Sequence, residues 1–150
     1  MKNIFVHYGR ISDTLMIKRA RRKSIVLEFT PNGGFWFDIY DGIQQKEHAH
    51  FYTVSSKARI LNLDDVADLQ LIKDKYLITF SSLEDTRVVD FHMLNFDAIS
   101  KDYDIIYAEN ALKERAKHNP CYDFMEGWTM PILVLNKRGI KMISKKKATC

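Results

Sequence analysis

Nine short runs rich in β-branched and aromatic residues, at 4–8, 24–29, 35–40, 51–55, 59–63, 76–80, 104–107, 132–135 and 140–143, most constrain the fold of this chain. Each is too short for a stable helix and is bounded by polar or turn-forming residues, which is the signature of strands. The clearest punctuation is Pro31-Asn32-Gly33-Gly34, a loop sequence directly before the ring-rich run Phe35-Trp36-Phe37-Asp38-Ile39-Tyr40. Helical segments are fewer. Asp64-Asp65 can cap a helix in which Val66, Leu69 and Ile72 recur at helical spacing as one buried stripe. A second helix is expected in the run from Met93 to Tyr103, and a third in the charged run from Glu109 to His118, stopped by Asn119-Pro120. Strands that outnumber helices and gather at both ends imply an α+β fold, with sheets as the core and helices packed around them, rather than a doubly wound nucleotide fold.

With 150 residues the chain suits one domain, 1–150, able to bury about 70% of its unfolded surface. No repeat, low-complexity stretch or Pro/Gly/Ser linker divides it. A hydrophobic share of 46% places it among globular rather than disordered chains. Only three apolar residues separate Met1-Lys2-Asn3 from His7, and no run of eighteen apolar residues occurs, so the expectation is a cytoplasmic protein without a membrane segment. Cys121 and Cys150 form neither a disulfide framework nor a metal-ligand spacing and read as free thiols.

Twenty-three basic against nineteen acidic residues leave a net charge of +4, mild for a dedicated nucleic-acid binder. Distribution matters more. Lys18-Arg19-Ala20-Arg21-Arg22-Lys23 is one cationic block that could contact phosphates, and a second runs from Lys137 to Lys147, with a tail at 144–150 that reads as a flexible, solvated end. Phosphate loops, nucleophile elbows, HExxH helices and CxxC pairs are absent. His48 and His50 would share a strand face, but without a third ligand they read as surface histidines rather than a metal site.

The order of the remaining features is more informative than any one of them. A strand ending in His7-Tyr8-Gly9 is followed by a glycine-led aromatic strand, Gly34-Phe35-Trp36-Phe37, then two strands and a capped helix over 50–75. Asp102 to Asn110 and the closing run Glu126 to Ile143 complete the succession. It resembles the ADP-ribosyltransferase superfamily, in particular the branch related to diphtheria toxin and the poly-ADP-ribose polymerases, and small members found in bacteria and their phages. The resemblance implies a core of two small mixed or antiparallel sheets with a few flanking helices, and NAD as substrate.

By that resemblance His7 would contact a ribose of NAD, with Tyr8, Gly9 and Arg10 beside it, and Phe35, Trp36 and Tyr40 would belong to the wall on which nicotinamide stacks. No metal would be needed. The chemistry suits these residue types: cleaving the nicotinamide–ribose bond passes through an oxocarbenium-like centre that a carboxylate stabilises, and a flat ring holds the cationic nicotinamide. Arg10 or the block at 18–23 would suit the pyrophosphate. The sequence departs from the family where its glutamate belongs, at the start of the penultimate strand, since that register falls on Met130 or Pro131. Glu126 is the nearest carboxylate and the candidate catalytic residue.

Plainer readings stand beside these. His7 can donate to a backbone carbonyl at a strand end. The aromatic strand can be ordinary core, and alternation allows only Trp36 or the pair Phe35 and Phe37 to face a cleft. Trp128 reads as a core anchor rather than a lid. The functional expectation is an NAD-dependent ADP-ribosyltransferase that modifies a macromolecular acceptor, protein or nucleic acid, and releases nicotinamide. The alternative is an inactive binding module of the same fold that holds a nucleotide, a nucleic acid or a host protein. A plain nucleic-acid binder acting through Arg19, Arg21 and Arg22 is the third reading.

Overall fold

Strand β1, Ile4–Tyr8, lies between β2, Phe35–Ile39, and β3, Ala49–Val54, and is antiparallel to both. The computed structural model describes residues 4–8, 35–40 and 49–143. The expected strand at 24–29, the loop at 31–34, the cationic block at 18–23, His48 and the tail at 144–150 lie outside them.

Four further strands extend the sheet: β4 (Ile60–Asn62), β7 (Ile105–Tyr107), β8 (Ile132–Val134) and β9 (Ile140–Met142). Among the described residues the order is β4-β7-β8-β2-β1-β3-β9, and only the β4–β7 pair is parallel. A separate hairpin pairs β5 (Leu77–Glu84) with β6 (Arg87–Leu94). The fold is therefore α+β as expected. Among the described residues one seven-stranded mixed sheet and a separate hairpin stand in place of two small sheets.

Register decides which rings share a face. Phe37 stands opposite Ile132, and Ile132 opposite Tyr107, so all three project to the same side. That side, with Phe5, Tyr52, Ile105 and Val134, forms one buried core. The other face presents Trp36, Leu61, Ile106 and Leu133 to the helical layer, where Ile72, Phe96, Ile99, Phe124 and Trp128 form a second core. Burying such side chains stabilises by about 2 kcal/mol each. The sheet curls over its first core. Ser55 N donates to Gly139 O at 2.8 Å, and a methyl group added at Gly139 would sit 3.0 Å from Asp104 Cβ. The β3–β9 edge thus meets the β4–β7 edge, and glycine is what lets them approach.

The helical layer contains α1 (Val66–Leu71), α2 (Phe96–Asp102) and α3 (Glu109–Ala116). Asp65 caps α1 by accepting from Ala67 N, and Asn95 caps α2 by accepting from Ala98 N. Asp64 does something the sequence did not suggest: its carboxylate accepts from Asn110 N and Ala111 N, so it caps α3 across 46 residues. The expected buried stripe on α1 is corrected in part. Ile72 is fully buried, but Val66 is 82% exposed. The α-helix ends at Leu71 and gives way to a π-turn, Ile72–Tyr76, whose wider spacing turns Ile72 and Tyr76 inward while the first turn of α1 faces solvent.

The hairpin turn is strained. Asp85 and Thr86 have φ of 45° and 70°, a conformation that costs a β-branched residue far more than asparagine or glycine. Replacing the pair with Asn-Gly is expected to stabilise the hairpin by about 1 kcal/mol. Amide exchange along β5 and β6 should slow relative to the wild type; unchanged exchange would show that the turn is not the weak point.

Candidate functional site

His7 lies near the end of β1, half-buried, with its ring edge-on to Phe35 at 4.2 Å and to Phe37 at 5.7 Å between centroids. Its Nδ1 is 3.1 Å from the Trp36 carbonyl oxygen. A carbonyl only accepts, so Nδ1 carries the proton, and in the neutral ring Nε2 is the acceptor nitrogen. This is the strand-end hydrogen bond of the plainer reading, and it also fixes the tautomer and aim of the imidazole. His50 is His7's cross-strand partner on β3. At 1% exposure it is core, not the surface histidine expected from sequence, because its strand is covered at this position. His7, Phe35 and Phe37 thus converge at the margin of the inner core, where Phe37 is sealed and Phe35 is half-buried.

The other expected site residues fall elsewhere. Trp36 alternates to the opposite face and packs edge-on against Trp128 at 4.8 Å. Trp128, 3% exposed, is the core anchor expected. Tyr40 packs on Phe51 at 4.7 Å, in a small cluster with Val6 and Ala49. The backbone of Tyr8 belongs to β1, while Gly9 and Arg10 lie outside the described residues. Glu126 is exposed at the end of the 3-10 turn Pro120–Met125, in a hollow lined by Arg115, His118, Tyr122 and Asp123. That turn sends Phe124 and Met125 into the helical-layer core. Glu126 is therefore carried by the outer layer and His7 by the inner face, with β2 between them. Met130 and Pro131 precede β8, and neither has a carboxylate.

Two arrangements had no signal in the sequence. Burial pushes the Tyr107 phenol well above its usual range, and its hydrogen bond to Glu109, 2.5 Å, pushes the same way. Tyr107 thus stays protonated as a donor in the inner core. The larger arrangement surrounds Asp104, which is buried at the start of β7. Its carboxylate accepts from Arg138 Nε at 2.5 Å, Arg59 Nη2 at 3.3 Å and Arg59 N at 3.1 Å. Burial alone pushes this carboxyl upward, but hydrogen bonds from Arg138 and Arg59 outweigh it and hold the group below its ordinary 3.8. Among the described residues no group of three or more His, Cys, Asp or Glu gathers as metal ligands would.

Because the folded-state pKa of Asp104 lies below the unfolded value, the carboxylate stabilises the fold fully above about pH 3.8. That contribution fades as pH falls below 3.8 through the lower folded value, where the unfolded chain takes the proton first. Asp104→Asn is expected to lose about 2 kcal/mol at neutral pH and to flatten the acid limb of the stability curve. Chemical denaturation of both proteins between pH 7 and 2 checks this; parallel curves would remove Asp104 from the linkage.

Compared with known proteins, the chain matches no family model, no curated protein and no solved structure.

Proposed function

We propose that this chain is an ADP-ribosyltransferase-like binding module that holds the nicotinamide or adenine end of a dinucleotide such as NAD at the His7–Phe35 margin, without turning it over. The observation that carries this reading is the separation of the expected site residues. His7 and Phe35 are in ring contact on the inner face, while Glu126 stands on the helical layer. Support for the resemblance comes from strand neighbours. The histidine strand β1 lies beside the ring-bearing β2, and β2 also pairs with β8, the penultimate strand of the described chain. Val134, at the end of β8, stands opposite Phe35, while the start of the strand lies toward Ile39. Met130-Pro131 precedes that start.

The chemistry follows from what remains. An imidazole suits a sugar hydroxyl, and the Phe35 ring beside it suits a flat base. With Glu126 on the helical layer, that carboxylate does not stabilise positive charge developing at the glycosidic carbon, so binding without cleavage is the expected outcome. The enzyme reading, transfer of ADP-ribose from NAD to a protein or nucleic-acid acceptor, requires Glu126 to act from the other side of β2.

Calorimetry with NAD and ADP-ribose, with chromatographic assay of nicotinamide, distinguishes the two. Binding that falls at least tenfold in His7→Ala, no nicotinamide release, and no effect of Glu126→Gln are expected. Nicotinamide release abolished by Glu126→Gln would reinstate the enzyme. Absence of any binding by NAD or ADP-ribose would overturn the module.

A further inference from the structure

A strongly charged hollow lies where the two edges of the curled sheet meet. It encloses about 360 Å³ and is lined by Ser55, Lys57, Arg59, Lys101, Asp104 and Arg138. Four cationic side chains thus share one hollow with a single carboxylate, a surplus of three positive charges. The elements that assemble it are remote in sequence: the end of β3, the approach to β4, the end of α2, the start of β7 and the 3-10 turn Lys137–Gly139 before β9.

Asp104 does not quench this charge so much as arrange it. It takes one N–H from each guanidinium, Nη2 of Arg59 and Nε of Arg138. Arg59 gives one more, from Nη1 to the Lys101 carbonyl at 3.2 Å. A guanidinium has five N–H donors, so most remain available, and the two side chains are 45% and 59% exposed. Lys57 and Lys101 are exposed and enter no salt bridge among the described residues. Ser55 adds a hydroxyl at the wall. Two anchored guanidiniums, two mobile ammoniums and a hydroxyl in a concave site match a tetrahedral anion with several oxygens and up to two charges. A carboxylate ligand would satisfy one fork and leave the rest of the surplus unpaired.

We propose that this hollow is a phosphate-binding site, which takes a phosphate or diphosphate ester through Arg59, Arg138, Lys57 and Lys101. The site is built from residues other than the His7–Phe35 margin and does not rest on the reading proposed there. The phosphate can belong to a free nucleotide or to a nucleic-acid backbone, and both present the same oxygens.

Titration calorimetry at low salt with inorganic pyrophosphate, ADP and a single-stranded oligonucleotide tests the assignment. Pyrophosphate and ADP are expected to bind, with affinity falling at least tenfold in the double variant Lys57→Glu, Lys101→Gln, recovering in Lys57→Arg, Lys101→Arg, and weakening with added salt. ADP and pyrophosphate binding as tightly as the oligonucleotide identifies the free ligand. Binding of the oligonucleotide alone, with a steep salt slope, identifies the backbone as the source. Should the double variant not fold, the Arg59 and Arg138 side-chain N–H resonances of the wild type are read instead, and they should shift on adding pyrophosphate. No binding by any of the three, affinity unchanged by the double variant, or unmoved arginine resonances would overturn the proposal.

Discussion

A single carboxylate holds the curl of this sheet closed. Asp104 receives side-chain bonds from Arg59 and Arg138, its amide donates to Arg59 O, and its carbonyl accepts from Leu135 N and Asn136 N. Those bonds join the approach to β4, the start of β7, the end of β8 and the turn into β9. Removing the two guanidiniums would strip a buried carboxylate of its charged donors and weaken the join between the edges. The inner core depends on that closure. Phe5, Phe37, Ile105, Ile132 and Val134 are fully buried in that core.

The same closure sets the chemistry available on the surface. Holding two guanidiniums at one carboxylate leaves their outward donors in register beside Lys57 and Lys101. At the β1–β2 end of the inner core the chemistry differs in kind: a tautomer-fixed imidazole in ring contact with Phe35. One end of the molecule is suited to anions and the other to a flat polar ligand.

Much of the strand plan was legible in the sequence, because β-branched and aromatic runs bounded by turns report local preference directly. The alternation in β2 also said that Trp36 and Phe35 must part, and they do. Other features were hidden for physical reasons. Strand β6 was missed because its hairpin turn is Asp85-Thr86 rather than Asn-Gly, and because Met93 and Leu94 read as the start of the helix that follows. Asp104 was read only as the first residue of the strand at 104–107. Its partners lie 45 and 34 residues away, and no local pattern encodes them. Glu126 was selected by proximity along the chain, yet the 3-10 turn that precedes it packs on the helical layer and takes the carboxylate with it. His50 was misjudged because the burial of a strand position depends on what covers the sheet.

Strand β2 carries rings from both cores on one short backbone. Trp36 is seated against Trp128, and the Trp36 carbonyl holds the His7 imidazole. Any repacking of the helical layer that moves the Trp36 peptide by a few tenths of an ångström must therefore rotate the imidazole on the opposite face. Selection on a ligand held by His7 would in that case constrain residues that never touch it, and tryptophan at 128 would drift only in concert with its neighbour at 36.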